Sequence, residues 1–245
     1  MEFASRVAMI TGAAVGIGRA TAILMAERGA KLVLIDVNSE GLDKLKQELA
    51  VYQTEVLTYV CDVSDENAIK SAVAQAQERL GAIDILVNNA ALWRVWQPFV
   101  EMSSETWRKY FDVNVMGTVY CTQAVLPRML ERGWGRIVNV ASVAGVYGNA
   151  NMTNYSATKG ALIAFTKALA KEVTDRGVLV NAVSPGSVSP SEDADIDAYI
   201  PSELAFIGRT GTDRENAELI CFLASDKASY ISGQNIQIDG CRKKQ

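Results

Sequence analysis

The chain has 245 residues, of which 49% are hydrophobic and 21% are charged, and its formal net charge is -4. These values are ordinary for a globular protein with a substantial core, and they exclude global disorder and a basic surface for a nucleic-acid partner. Because no shift in composition marks a linker, we expect a single domain over residues 1–245.

The N-terminus and the cysteines point to neither export nor a membrane. Residues 1–6 carry Glu2 and Arg6 instead of a signal peptide, and no uncharged apolar run approaches the ~18 residues of a membrane helix. The four cysteines are scattered without CxxC spacing, which predicts reduced thiols and no metal site. The basic run 242–244 is interpreted as a solvated tail. We therefore expect a cytoplasmic protein that does not bind membranes.

Short β-branched runs alternate along the chain with segments of helical periodicity, among them 20–28, 42–50, 105–131 and 154–176. The predicted strands are 7–11, 32–36, 56–61, 85–88, 137–140, 178–184 and 236–238. Strands that are apolar on both faces, each followed by a helix, form a parallel sheet with helices on both sides. The pattern predicts a doubly wound, Rossmann-like α/β fold with a mainly parallel seven-stranded sheet. Its ligands collect where the strands end.

The first predicted strand runs into TGAAVGIG, in which Gly12, Gly16 and Gly18 precede a helix. Glycine allows a tight turn and a close approach of the backbone to a ligand, and the amides at a helix start attract a pyrophosphate. With Val15 and Ile17 between the glycines, this loop is a predicted cofactor site. Three glycines alone also fit a tight turn without a ligand.

A carboxylate, Asp36, ends the second predicted strand, 18 residues after Gly18. At that place a carboxylate can accept hydrogen bonds from the adenosine ribose, and its charge repels a 2′-phosphate. The neighbouring Val15 and Val37 supply no basic group. The residues therefore predict NAD(H) as the cofactor, although Asp36 could also be a turn residue only.

Five motifs together resemble the classical, NAD-dependent short-chain dehydrogenases/reductases: TGAAVGIG, NNAA at 88–91, Ser142, NYSATKG at 154–160 and PG at 185–186. The resemblance runs over essentially the whole chain, with the motifs in the family's order. It implies a Rossmann-like fold and hydride transfer between NAD and an alcohol or carbonyl carbon.

The resemblance also implies which residues form the site. Ser142, Tyr155 and Lys159 match the catalytic triad, and Asn114 matches the helix asparagine that completes a proton relay. The matching cofactor residues are Asp62, Val63, Asn88, Ala90, Tyr155, Lys159, Pro185, Gly186 and Val188. The chain departs from the family's motifs at three places. It has NNAA where the family more often has NNAG, Ser189 where the family often has threonine, and DGC near the C-terminus where DGG is usual.

The chain contains no histidine, so Tyr155 is the candidate that exchanges the proton of the substrate hydroxyl. Its ordinary pKa of about 10 is too high for a base at neutral pH. We expect Lys159, one helical turn on, and the positive nicotinamide ring to lower that pKa. Contact through the bound ribose is also consistent with this spacing.

Ser142 is expected to hydrogen-bond the substrate oxygen. Taken singly, a strand-end serine fits a turn and a Tyr/Lys pair fits a helix surface.

The segment 187–207, which the resemblance makes a short substrate lid, carries five acidic residues and no basic one. If it faces the substrate, it favours neutral polyols, small ketones or hydroxy-ring compounds over anionic carrier thioesters. A solvated acidic loop is the alternative. Candidate pocket residues are Trp93, Trp96, Tyr147, Asn149, Met152 and Ser187, although the tryptophans also fit packing under the lid or a subunit contact.

The leading hypothesis is an NAD-dependent alcohol dehydrogenase or carbonyl reductase. A 3-oxoacyl thioester reductase is the alternative, marked by NADPH use and a basic docking patch. A dinucleotide-sensing binding protein would tolerate loss of Ser142, Tyr155 or Lys159, and all three are present. Helices 105–131 and 154–176 resemble those that pair family subunits, which implies a homotetramer or dimer, but their apolar faces also fit core packing.

Overall fold

The computed structural model describes residues 1–189 and 195–243. Its sheet has seven strands in the order β3-β2-β1-β4-β5-β6-β7, and neighbouring strands are parallel throughout. The strands are β1 Val7–Thr11, β2 Lys31–Asp36, β3 Val56–Val60, β4 Ile85–Asn88, β5 Gly135–Val140, β6 Val178–Pro185 and β7 Asn235–Ile238. The predicted doubly wound fold is confirmed, with strand bounds that differ by two residues or fewer.

Eight α-helices connect the described strands. They are α1 Gly16–Glu27, α2 Ser39–Leu49, α3 Glu66–Leu80, α4 Ser104–Phe111, α5 Gly117–Arg132, α6 Ala144–Tyr147, α7 Thr153–Val173 and α8 Asp213–Ala224. Local signals set several of their ends. Asp65 accepts hydrogen bonds from two amides at the start of α3, Thr212 and Glu215 form a capping box on α8, and Gly133 ends α5 in the left-handed conformation.

The sheet separates two hydrophobic layers. Ala8, Ile10, Leu32 and Leu34 belong to the layer that contains α1 and α8, while the alternate strand residues belong to the layer with α3 and α5. Successive side chains of a strand point to opposite faces, so both faces need apolar residues. This explains the continuous apolar runs from which the strands were predicted.

One predicted helix is interrupted. Residues 105–131 were expected to form a single helix, but a π-helical turn at Asp112–Met116 separates α4 from α5. Such turns insert an extra residue into a helix and are frequent at functional sites. The inserted turn carries Asn114, which is fully buried.

Backbone hydrogen bonds attach the C-terminal residues to residues 204–207. The amides of Phe206 and Ile207 donate to the carbonyls of Cys241 and Gly240, and the amide of Lys243 donates to Leu204. The prediction of a solvated tail is therefore wrong for Arg242, which is partly buried, whereas Lys243 is exposed as predicted. Lys244 lies outside the described residues. In the described ranges, the helices are all too short or too polar to span a bilayer.

Candidate active site

The strand order brings the predicted site residues to one edge of the sheet. From β1 the chain winds toward β2 and β3, whereas β4 lies on the other side of β1 and leads toward β7. The ends of β1 and β4 are therefore the switch point at which α/β folds bind ligands. The amides of Asn89 and Ala90 donate to the Thr11 hydroxyl at 3.0 and 3.1 Å, which ties the two loops together.

The glycine turn requires its glycines. Gly12 and Gly16 have φ angles of +62° and +58°, where side chains are unfavourable. A Cβ on Gly18 would lie 2.0 Å from the Gly12 carbonyl oxygen, and one on Gly12 would lie 2.8 Å from the Ala90 Cα. At the start of α1, Val15 makes no side-chain capping hydrogen bond. The helix start thus presents amides beside a tight backbone turn, and this fits a pyrophosphate.

Asp36 has a structural role in addition to its predicted one. One carboxylate oxygen accepts from the Ala14 amide at 2.9 Å and the other from the Asn38 amide at 3.0 Å. Each oxygen keeps a second lone pair. The side chain is partly exposed, with Val15 and Val37 more exposed still. The carboxylate is therefore placed and available to accept from a ribose.

The predicted cofactor residues Asp62 and Val63 follow β3. One Asp62 oxygen accepts from the amide and hydroxyl of Ser64, and the Cys61 amide donates to the Asp36 carbonyl. Val63 is buried against Gly117, where a Cβ would lie 2.6 Å from the valine Cγ2. Both residues thus lie on the Asp36 side of the site.

The Asn88 side chain lies beneath the loop that it was expected to line. It donates to Asn139 at 2.9 Å and to Thr122 at 3.2 Å, and Asn139 donates to Thr166 on α7. A cofactor contact of Asn88 would therefore come from its backbone. Its neighbour Asn89 instead donates to the Gly12 carbonyl at 2.9 Å. Asn89 was missed, although it stands in the same NNAA motif.

Ser142, Tyr155 and Lys159 come together where α6 packs on α7. A Cβ on Gly145 would lie 2.5 Å from the Lys159 carbonyl carbon, so this contact requires glycine. The Ser142 hydroxyl hydrogen-bonds Tyr155 and accepts from the Ala144 amide at 3.1 Å. The Lys159 Nζ lies 5.7 Å from the centre of the Tyr155 ring and donates to the Val140 carbonyl at 2.6 Å.

The expectation that Lys159 and the positive nicotinamide ring together lower the pKa of Tyr155 stays a prediction for the cofactor-bound protein, because the chain's own side chains leave that pKa high. Burial raises the pKa of Tyr155 to about 12, against a lowering by Ser142 and with a further rise from Tyr110. Burial also lowers the pKa of Lys159 to about 7. Burial thus disfavours the charged form of each side chain when no other charge is close by. A lower tyrosine pKa needs additional positive charge beside the pair.

Asn114 connects three parts of the site through its amide. Its Oδ1 accepts from the Leu92 amide at 2.7 Å, and its Nδ2 donates to the Leu92 carbonyl and to Thr158 on α7. The Thr158 hydroxyl donates to the carbonyl of Tyr155. Both N–H groups of Asn114 are thus engaged, and the predicted relay would fall to its backbone carbonyl. Thr158 is a further residue that sequence reasoning missed.

The PG segment at the end of β6 packs closely on the C-terminal strand. The Gly186 amide donates to the Ile238 carbonyl at 2.9 Å, and a Cβ at Gly186 would lie 2.9 Å from the Asp239 Cα. Pro185 is buried, whereas Val188 is partly exposed and forms a bridge with Gly211. The Val143 amide donates to the Pro185 carbonyl, so the predicted cofactor residues of the PG segment lie beside Ser142.

The predicted substrate residues surround the same edge. Trp93 is 47% exposed, and Tyr147 is 50% exposed with its hydroxyl donating to Gln237. The Asn149 amide donates to Ser156 at 3.1 Å, which attaches its loop to the residue after Tyr155. A groove of about 560 Å³ runs beside Trp93 along α4 and includes Tyr110. Of the acidic lid residues, Glu192 and Asp193 lie outside the described residues.

Comparisons with known proteins agree with this geometry. A family model described as short chain dehydrogenase matches residues 6–198. A 3-oxoacyl-acyl-carrier-protein reductase of Thermotoga maritima is 42% identical over 243 residues, which cover 98% of each chain. A cis-4-hydroxycyclohexanecarboxylate dehydrogenase of Sinomonas cyclohexanicum is 38% identical, covering 97% of this chain and 96% of the relative. The structure of an NAD⁺-bound xylitol dehydrogenase, 32% identical, superposes with a TM-score of 0.91 over 98% of this chain and 100% of that one.

Proposed function

The chain belongs to the short-chain dehydrogenase family, and we propose that it is an NAD(H)-dependent oxidoreductase of small alcohols and ketones. The observation that carries the proposal is the Ser142–Tyr155–Lys159 cluster at the switch point, next to a glycine turn that fits a dinucleotide. We further propose that it works in the cytoplasm as a homotetramer or homodimer, as the family resemblance implies.

Asp36 supports NAD(H) over NADP(H). Its carboxylate lies at the end of β2, beside exposed Val15 and Val37, and no basic side chain follows it in the turn. A 2′-phosphate at this place would meet a negative charge without a compensating cation. The NAD⁺-bound xylitol dehydrogenase of the same fold is consistent with this choice.

A nicotinamide dinucleotide held at the glycine turn supplies the hydride acceptor or donor, and its oxidised ring also brings positive charge. The chain's own residues manage the proton. Tyr155 exchanges it with the substrate oxygen, and the Ser142 hydroxyl, already bonded to Tyr155, stabilises charge on both. Lys159 lies close enough to Tyr155 to stabilise the phenolate when Lys159 is protonated. Further hydrogen-bond acceptors beside the ammonium would favour that protonated form.

The lid supports small substrates over carrier thioesters. Among its described acidic residues, Asp195 and Glu203 are exposed, and Asp197 is paired with Arg214 at 2.8 Å. Neutral polyols, small ketones and hydroxy-ring compounds meet no repulsion from these groups. The relative from Sinomonas is named for a small hydroxy-ring compound, which carries one carboxylate.

A 3-oxoacyl thioester reductase is the second candidate because one observation favours it. The groove beside Trp93 carries two cationic residues, Arg94 and Lys109, together with Glu105. This mixed charge is weaker than a basic docking patch, but the relative from Thermotoga is 42% identical. Turnover of an acetoacetyl thioester at a rate comparable to a neutral ketone, with NADPH preferred, would favour this candidate.

The test is a screen of neutral alcohols with NAD⁺ and ketones with NADH, followed by absorbance of the reduced nicotinamide. On the best substrate, Tyr155→Phe should reduce kcat by about 100-fold or more because the proton donor is lost. NADH affinity should change little. Tyr230→Phe, at a fully exposed tyrosine, is the matched control. Activity of Tyr155→Phe above a few per cent would remove this tyrosine from the role, and no turnover with any substrate would favour a binding protein.

A further inference from the structure

Arg242 is held in place by its backbone. It forms an antiparallel bridge with Ala205, and the flanking residues Cys241 and Lys243 hydrogen-bond Phe206 and Leu204 in the lid. The side chain is partly buried. The paired backbone fixes the direction in which the side chain leaves it, and the hydrogen bond to Asn149 fixes the guanidinium.

That place is the substrate side of the candidate site. The Arg242 Nη2 donates to the Asn149 Oδ1 at 3.1 Å, and the Asn149 amide donates to Ser156, the neighbour of Tyr155. Arg242 also lines a small cavity with Ser187, the residue after the PG segment. The guanidinium thus contacts the loop before the catalytic tyrosine, and Arg242 shares a cavity with the segment after β6.

Arg242 differs in its partners from three other arginines of the molecule. Arg209 is paired with Glu215 at 2.6 Å, Arg214 with Asp197 at 2.8 Å and Arg136 with Asp226 at 3.1 Å. Arg242 makes no ion pair with any residue that the structure describes, and its one polar partner is a neutral amide. Asp239 lines the same cavity but lies beyond ion-pair distance. A partly buried guanidinium with unused N–H donors is matched by a carboxylate.

We propose that Arg242 is a specificity-determining residue that binds a single carboxylate on the substrate, remote from the carbon that exchanges hydride. The substrate class is then a small hydroxy or oxo carboxylate, including hydroxy-ring carboxylates. This rests on the proposed function and extends it from neutral compounds to singly charged ones. Among the described acidic residues of the lid, Asp197 is neutralised by Arg214, while Asp195 and Glu203 are exposed, where solvent and salt screen their charge.

The size of the effect follows from the hydrogen bonds. A charge-assisted, bidentate contact between a guanidinium and a carboxylate in a partly buried place is expected to change affinity by roughly 10- to 100-fold. A carboxamide of the same shape keeps the geometry but loses the charge. Comparison of the two therefore isolates the role of Arg242 from the shape of the pocket.

The experiment compares cis-4-hydroxycyclohexanecarboxylate with cis-4-hydroxycyclohexanecarboxamide at saturating NAD⁺, for the wild type, Arg242→Gln and Arg242→Lys. Arg242→Gln should raise KM for the carboxylate by roughly 10- to 100-fold and leave kcat and the carboxamide nearly unchanged, and Arg242→Lys should lie between. Lys243→Gln removes a charge from the same segment, where the ammonium lies over the Phe206 ring, and should change neither.

A second measurement is independent of turnover. Calorimetry of the NAD⁺ complex with cyclohexanecarboxylate and with cyclohexanecarboxamide should show the same carboxylate-specific loss in Arg242→Gln. Equal losses for both ligands would assign Arg242 to holding the lid and overturn the proposal, as would a wild type without preference for the carboxylate. A wild type that turns over neutral alcohols but shows no preference for the carboxylate would refute the role of Arg242 and leave the proposed function intact. A protein that turns over no substrate would contradict the proposed function itself.

Discussion

The cofactor prediction can be tested at Asp36, where two roles of one carboxylate can be separated. The carboxylate accepts from the amides of Ala14 and Asn38, and it is expected to accept from the ribose as well. Asp36→Asn keeps one acceptor oxygen and the side-chain shape but removes the charge. Asp36→Ser removes the acceptors for both amides. The asparagine variant therefore removes the charge and the acceptor for one of the two amides, and the serine variant removes the charge and more of the loop support.

The expected magnitude follows from these contacts. A hydrogen bond between the carboxylate and a ribose hydroxyl contributes about 1.5–3 kcal/mol. Repulsion between the carboxylate and one unit of phosphate charge about 4 Å away costs about 1–4 kcal/mol at a partly exposed site. Even the lower values add to about 2.5 kcal/mol, which is a factor of about 70 in relative affinity. Asp36→Asn should thus weaken NADH and strengthen NADPH, shifting the ratio of their dissociation constants by about 50-fold or more.

Fluorescence titration of the reduced cofactors gives both dissociation constants directly, without a known substrate. Asp43→Asn, at an exposed carboxylate on α2, removes the same charge from the same side of the chain and is the control. Equal weakening of NADH and NADPH by Asp36→Asn would mean that the carboxylate only supports the turn. A wild type that binds NADPH as tightly as NADH would refute the assignment of the cofactor.

Two further predictions concern burial and packing in the site. Because the pKa of Lys159 falls from 10.5 to about 7 in the folded chain, its contribution to stability is complete above 10.5 and is lost as pH falls toward 7. In urea unfolding without cofactor, the stability of the wild type relative to Lys159→Met should rise by up to about 3 kcal/mol between pH 7 and 9.5. The comparison cancels the opposite effect of the buried thiols Cys121 and Cys221, whose pKa burial raises to about 12, and an equal slope in both proteins would place its origin elsewhere. Gly18→Ala should cost about 1–3 kcal/mol and abolish tight dinucleotide binding because its Cβ would lie 2.0 Å from the Gly12 carbonyl oxygen. The control Gly211→Ala, whose Cβ would meet nothing closer than 3.6 Å, should do neither, and unchanged nucleotide binding in Gly18→Ala would contradict the role of the turn.

Much of the fold could be predicted because each strand is a local signal. A strand covered by helices on both sides must be apolar on both faces, so β1 and β4 were found with their observed bounds from composition alone. The switch point followed from the alternation of strands and helices. The glycine turn was equally local, since its backbone angles and close contacts with Ala90 need glycine at fixed spacing.

The π turn could not be predicted from the periodicity of residues 105–131. The π turn contains Asn114, which the sequence does not distinguish from other polar residues of a helix. The hydrogen-bond partners of Asn114, Leu92 and Thr158, are 22 and 44 residues away. The extra residue places the amide where it joins the loop after β4 to α7. Such a contact depends on how three elements pack, and helical spacing contains no information about it.

The pKa of Tyr155 is a second property that could not be predicted from the spacing of residues in the sequence. Spacing correctly brings Tyr155 and Lys159 together, but spacing does not show how deeply both are buried. Burial disfavours the charged form of each, so it raises the pKa of one and lowers that of the other. The pair by itself is therefore a neutral tyrosine beside a lysine that loses its proton easily. We therefore expect the positive ring of a bound, oxidised dinucleotide to lower the pKa of the tyrosine.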